Sequence, residues 1–235
     1  MCGRYSITTA PEALRALFAF EERPNLAPRF NVAPTQSVPV VRRDRDGGRH
    51  LAALRWGLVP PWAKDLAIGA KMINARAETV AEKPAFRKAF AQRRCLVLAD
   101  GFYEWRPGKT GKAPKQPFRM EFAERAPFAF AGLWERWGRD DGAIESVTII
   151  TCPANSALEA LHHRMPVILE PQAFEAWLDP QGAATASSEL LRPYDQEAGA
   201  YGPLRIYPVS TRLNKATNDD ASLLEPIDPE LPRLL

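Results

Sequence analysis

Hydrophobic positions change period several times along the chain, and each change marks a candidate element. Across Pro11–Phe20 (PEALRALFAF), Leu14, Leu17 and Phe18 share a face. With Pro11 near the first turn and Thr8 or Thr9 available as a cap, a short helix is predicted there. Gln36–Arg43 and Leu51–Val59 predict two strands around the polar loop DRDGGR, a hairpin with a glycine-containing turn. Ala75–Val80 and Pro84–Gln92 predict helices, and Cys95–Leu98 a short buried strand. Gly108–Lys115 (GKTGKAPK) reads as a solvated loop, followed by strands at Phe118–Phe122, Phe128–Leu133 and Ser146–Thr151. Ser156–Leu161 and Pro171–Leu178 predict helices, and Leu204–Val209 a late strand. Asp179–Ser188 (DPQGAATASS) is the one linker candidate, too close to the C-terminus to separate two full cores. No regular βαβ beat runs through this order. The expected fold is therefore α+β, a single domain over residues 1–235 around a curved, mostly antiparallel, barrel-like sheet with peripheral helices. The last ~20 residues are expected at its edge.

Composition narrows the function classes. The chain has 235 residues, 46% hydrophobic and 25% charged, as a globular protein does. Its 22 prolines are nearly twice the usual share and point to many turns and short elements. A net charge of +3 is too small to signal nucleic acid or membrane by itself, so any basic site must be local. Cys2, Cys95 and Cys152 are odd in number and far apart, which argues against a disulfide framework or a zinc site. MCGRYSITTA lacks a signal-peptide apolar region, and no apolar run approaches the ~18 residues of a membrane helix. A cytoplasmic protein with free thiols is expected.

The candidate chemistry starts at Cys2. Aminopeptidases remove Met1 when the next side chain is small, which would leave a cysteine with an α-amine and a thiol on adjacent carbons. With reference pKa values near 7.7–8.0 and 8.5, on the order of a tenth of each group is nucleophilic at neutral pH. Such a 1,2-aminothiol condenses with an aldehyde: the amine forms an imine, and the thiol closes a five-membered thiazolidine. Ring closure has the advantage of an effective molarity of ~10⁵ M or more. The plain alternative is an arbitrary chain terminus.

Other segments offer partners for that chemistry. Asn74 and Arg76 lie two residues apart at a strand-to-helix junction, as sugar and phosphate ligands or as a helix cap and a surface charge. Glu104 sits between Tyr103 and Trp105, where aromatic walls would raise its pKa for proton transfer; an exposed edge position is the alternative. In His162-His163-Arg164-Met165-Pro166, one His can serve as acid or base and Arg164 can hold an anion, or the pair caps a helix. Neighbouring side chains of an extended segment point oppositely, so only one His is expected to face a site. Trp56 and Trp62 bracket a Pro-rich turn, as core filling or as a base-stacking platform. Cys95 and Cys152 read as buried structural thiols, and His50 as a solvated residue.

In order, Met1–Tyr5, Asn31–Gln36, Arg55–Pro60, Ile73–Thr79, Ala99–Trp105, Phe130–Glu135, Thr148–Pro153, His162–Pro166 and Val209–Lys215 resemble the SRAP family, the SOS-response-associated peptidase or abasic-site processing proteins. The resemblance spans nearly the whole chain. It implies a protein that binds abasic sites in single-stranded DNA and links its mature terminal Cys covalently to the sugar aldehyde. Cys2 matches the family's nucleophile, Asn74 the Asn beside the open sugar, Glu104 the catalytic Glu and His162 the first His of His-x-Arg-Met-Pro. Arg4, Arg76 and Arg164 match phosphate-holding positions, while Asn31, Pro34 and the Trp56–Trp62 turn fall in segments that shape the nucleotide groove. No cofactor or metal is implied, and a monomer is expected. Single-stranded DNA suits the chemistry because an abasic residue has no stacked base to extract. Strand scission by β-elimination is an expected side activity. Two alternatives stand beside this reading: a thiol peptidase using Cys2 and His162, and a plain single-stranded DNA binder.

Overall fold

Five strands close a barrel. A computed structural model describes residues 2–44, 46–106, 115–181 and 188–227. Its strands are Tyr5–Ile7 (β1), Arg29–Val32 (β2), Ser37–Arg43 (β3), Arg49–Trp56 (β4), Asn74–Arg76 (β5), Arg94–Ala99 (β6) and Gly101–Arg106 (β7). After them come Gln116–Glu121 (β8), Phe128–Trp137 (β9), Ile144–Pro153 (β10), Arg164–Pro166 (β11), Ile168–Leu169 (β12) and Arg205–Pro208 (β13). Three short α-helices, Pro11–Phe18 (α1), Arg87–Gln92 (α2) and Phe174–Leu178 (α3), lie around them. The barrel order is β3-β4-β10-β9-β6, with β6 pairing back onto β3. All its contacts are antiparallel except β4 with β10. Closure covers the strand edges within the barrel, while β10 runs on past β4, and its continuing edges are taken by β5 and β11. The fold is α+β, as the alternation of short strands and scattered helices implied.

A second antiparallel sheet runs β13-β8-β7-β1-β2. Aromatic rings join the two sheets: Tyr5 of β1 meets Trp56 of β4 edge-on at 5.3 Å and Phe130 of β9 at 5.8 Å, and Phe102 of β7 meets Phe130 at 6.0 Å. Asp100 links β6 in one sheet to β7 in the other. Its carboxylate accepts hydrogen bonds from Ser6 Oγ (2.6 Å), Thr8 Oγ1 (2.8 Å) and the Thr9 amide (2.9 Å). Arg119, fully buried, lies over Gly101, where a Cβ would come within 2.5 Å of the guanidinium. It donates to Glu121 (2.8 Å), Ser6 (2.8 Å) and Tyr103 (3.0 Å). This buried polar knot fixes β1, and with it the N-terminus, against β7.

Several expectations are corrected. Thr8 and Thr9 bind Asp100 and do not cap α1, whose N-cap is Ala10 with no side-chain hydrogen bond. Ala75–Val80 is not helical: Asn74–Arg76 pairs in parallel with Ile149–Thr151, and turns follow. An open edge of β10 there outweighs the local helix preference. The helix expected from Pro84 begins at Arg87. Ser156–Leu161 forms hydrogen-bonded turns, since the chain must reverse there to lay β11 antiparallel on β10. Pro171–Leu178 divides into a 3-10 turn and α3. The 36–59 hairpin forms in register from Ser37↔Arg55 to Arg43↔Arg49, and Asp44 Oδ1 accepts the Gly48 amide at 2.8 Å in its turn. The loop expected at 108–115 lies outside the described residues except Lys115, and the linker expected at 179–188 does so over 182–187.

The C-terminal segment packs in. Leu213, Leu223 and Leu224 are buried with Tyr103 and Val209 in a second small core, so as far as Ile227 the expected edge is part of the fold. No helix among the described residues is long and apolar enough to cross a membrane.

Candidate functional site

Cys2 lies just before β1, fully buried. Asn74 holds it by donating from Nδ2 to the Cys2 carbonyl at 2.8 Å. Asn74 is fixed in turn, because the carbonyl of Ile73 accepts from Trp56 Nε1 (2.9 Å) and from the Ile149 amide (3.1 Å). The other end of the Asn74 amide, Oδ1, is buried with no hydrogen-bond partner among the described residues. It is an acceptor left over at the site.

Glu104 comes from β7 and is only 3% exposed. Burial pushes its carboxyl above the usual carboxylate range, while the positive chain terminus and His163 pull the other way. Burial also pushes the Cys2 thiol up, and the Glu104 charge adds to that. Cys2 is thereby kept as a thiol, and Glu104 becomes a carboxyl able to exchange protons nearer neutrality than an exposed Glu.

His162 ends the turns that replace the expected helix. Its Nδ1 accepts the Arg164 amide at 2.9 Å and also lies 3.1 Å from the Arg164 carbonyl. Either proton placement on the ring therefore has a backbone partner at Nδ1, with Nε2 taking the opposite role in the neutral ring. Burial, first among several causes, lowers the His162 pKa. The two neighbouring histidines do not diverge as expected for an extended segment. Their rings stack at 4.4 Å, because the chain is turning at this point.

Two clefts are lined by residues that touch Cys2: Arg4, whose carbonyl faces its thiol, stands in one, and Asn74, which donates to its carbonyl, in the other. One, of about 530 Å³, is lined by Arg4, Glu104, Trp105, Lys115, His162 and Asn214. The other, of about 470 Å³, contains Asn74, Arg76, Trp62, Lys83 and Phe86 in its wall. Trp62 is 59% exposed, whereas Trp56 is wholly buried in the core. Of the two, only Trp62 presents a face to a ligand; Trp56 acts from below, through Ile73. The turn carrying Trp62 needs Gly57, whose φ is +125° and where a Cβ would stand 2.5 Å from the Gly69 carbonyl oxygen.

Arg4 is locked in place. Its Nη1 donates to Asn31 Oδ1 and to the Leu213 carbonyl, each at 3.0 Å. Asn31 is buried, and its Nδ2 faces the carbonyls of Leu213 (3.2 Å), Lys215 (3.2 Å) and Asn218 (2.8 Å). Asn31 therefore holds Arg4 and the Thr211–Asn214 turn and has no reach into the cleft itself. Arg164, 8% exposed, is taken up by Glu78 at 3.0 Å and Thr151 Oγ1 at 3.2 Å. The convergence expected of three arginines reduces to Arg4 and Arg76, one in each cleft. Pro34 lines neither cleft; it sits in the turn closed by the Gln36 amide on the Ala33 carbonyl (3.3 Å). Trp105 and Asn214, joined by a 2.7 Å hydrogen bond, were not singled out by sequence reasoning, nor were Lys83, Phe86 and Lys115. Trp105 and Asn214 did stand inside quoted segments, so their positions were visible although their roles were not.

Comparison with other proteins agrees with this architecture. The chain is 40% identical over 230 residues to the abasic site processing protein YoaM of Bacillus subtilis, covering 96% of this chain and 98% of that one. It is 31% identical to the abasic site processing protein HMCES of Gallus gallus, covering 99% of this chain and 80% of that protein. A crystal structure of a protein from Bacteroides thetaiotaomicron superposes with a TM-score of 0.82 at 27% identity, covering 96% of this chain and all of that one. The SOS response associated peptidase (SRAP) model matches residues 1–216, a span that takes in Cys2, both clefts and the turn that locks Arg4. The chain belongs to the SRAP family.

Proposed function

We propose that this protein processes abasic sites in single-stranded DNA by condensing the aminothiol of Cys2 with the sugar aldehyde. The observation that carries the reading is the Asn74–Cys2 hydrogen bond, which ties Cys2 to a cleft-lining residue, with Glu104 of the other cleft near enough for its charge to act on the thiol. DNA runs through both clefts, its phosphates meeting Arg4 and Lys115 on one side and Arg76 and Lys83 on the other. Flanking bases stack on the exposed Trp62 and on Trp105. Binding is thus electrostatic and stacking in character, with little reading of sequence.

The reaction begins when His162 moves protons between the ring oxygen and the 1′-hydroxyl, opening the deoxyribose to its aldehyde. With Met1 removed, the Cys2 amine adds to C1′, and Glu104 relays protons as the carbinolamine loses water to become an imine. The Cys2 sulfur then adds to the imine carbon, its proton passing to the nitrogen, and the thiazolidine is complete. One C–N bond and one C–S bond form, and one water leaves. The imine acidifies the C2′ protons, which gives β-elimination as a side activity.

A thiol peptidase reading is less well supported, because that chemistry needs a thiolate and burial together with Glu104 keeps Cys2 protonated. The test is the intact mass of the protein, alone and after incubation with an oligonucleotide carrying one abasic site. Loss of Met1 and an adduct of summed mass less one water are expected, with no adduct from Cys2→Ala or from a chain that keeps a residue ahead of Cys2. Binding without an adduct by a protein lacking Met1 would overturn the covalent reading.

A further inference from the structure

His163 plays no part in the reaction described above, yet its ring is stacked on that of His162 at 4.4 Å with the planes 23° apart. We propose that His163 is a positioning residue that acts through His162: the stack fixes the His162 ring plane and makes a second proton on the pair harder to add. This inference rests on the reading that His162 moves protons during sugar opening.

Two like charges this close repel, and such a pair titrates in two separated steps that belong to both rings. Whichever ring holds the first proton, the second must be added 4.4 Å away from it. Even with water-like screening, that separation displaces the second step by about 0.7 pH unit. The other groups around His162 are the chain terminus and Arg164, which oppose its protonation, and the Arg164 carbonyl, which favours it. Arg4, Lys115 and Glu104 complete the charged wall of the same cleft. To this mostly cationic setting the stacked His163 ring adds a further cation whenever it is protonated, and its charge is among the causes that lower the His162 pKa. The consequence is a His162 kept neutral, and so able to take a proton from the sugar hydroxyl, further into the acid range than a lone ring at this place.

The backbone does not depend on the His163 side chain. Its carbonyl accepts the Ala154 amide at 3.1 Å, a bond that any residue at 163 can make. His163→Phe keeps a stacked ring without a charge, and His163→Asn removes the ring. The chain has three histidines, so ring Cε1–H signals in NMR can be followed individually across about pH 5 to 9. The His162 midpoint is expected to rise in both variants, by up to about 0.7 pH unit. The acid limb of the single-turnover crosslinking rate should move up by the same amount. An unmoved or lowered His162 midpoint in His163→Phe would overturn the inference. A midpoint that moves while the rate profile stays still would instead remove His162 from the proton transfer, and with it the assigned role of His163.

Discussion

Asn74 is the sharpest place to perturb the site, because its two ends carry different burdens. Nδ2 donates to the Cys2 carbonyl at 2.8 Å, while Oδ1 is buried without a partner among the described residues. Asn74→Ala removes one hydrogen bond, worth about 1 kcal/mol net, but also removes a buried acceptor that has none. The two terms oppose each other, so stability should fall by at most about 1.5 kcal/mol, or roughly 1–6 °C in melting temperature for a chain of this size. The β5–β10 pairing is made by backbone and survives the change. The effect on crosslinking is larger than the effect on stability. Loss of the bond alone costs about fivefold, and a misplacement of the aminothiol by ~1 Å costs about 10²-fold. Single-turnover crosslinking on an abasic oligonucleotide should therefore slow by about 5- to 100-fold, with Kd for the same oligonucleotide little changed. Asn74→Asp should be slower still, since a carboxylate cannot donate to the Cys2 carbonyl and adds a negative charge beside a thiol already pushed up by burial and by Glu104. If Asn74→Ala crosslinks at the wild-type rate, Asn74 does not place Cys2 and the assignment of its role is wrong.

Three further outcomes can be checked with standard assays. Glu104→Gln should abolish or strongly slow crosslinking yet raise the melting temperature at alkaline pH. The Glu104 pKa is raised by burial, so its share of stability is present below the unfolded pKa and is lost as pH rises through the folded one; the gain in Glu104→Gln should vanish toward acid, and a gain that grows toward acid would contradict this. Arg76→Ala should weaken binding of single-stranded DNA and reduce the slope of log K against log salt by about 0.7, measured by fluorescence anisotropy at several salt concentrations; an unchanged slope would take Arg76 off the phosphates. Arg119→Met should destabilise by about 3–5 kcal/mol, roughly 6–20 °C by calorimetry, because it takes the buried cation from Asp100 and leaves Glu121 with only the more distant, exposed Arg125 and Arg205; a loss under about 1 kcal/mol would show the knot to be dispensable.

What the sequence by itself determined is the part written locally. The hairpin at 36–59 follows from alternation around an Asp/Gly-rich turn, and the buried strands at 94–99, 128–137 and 144–153 follow from apolar runs bounded by polar breaks. The cysteine at position 2 is a covalent fact, and the residues proposed as its partners stand in recognisable segments. Tertiary structure decided the rest. Asn74–Arg76 became a strand because β10 offered unpaired backbone, a circumstance that residues 75–80 do not encode. Thr8 and Thr9 lost their capping role to Asp100, more than ninety residues away. Trp56 and Trp62, equivalent in the sequence, were separated into core and surface by how the Gly57–Gly69 contact folds the turn. Asn31 and Arg164 carry groups suited to binding DNA, but in the structure those groups are engaged by other parts of the chain, and a chain read residue by residue does not show which partner arrives. The stacked histidines follow the same rule: adjacency in sequence favoured divergence, and the turn brought the rings together. Local pattern fixes which groups exist and which segments are apolar; pairing across long loops decides which of those groups still face the clefts.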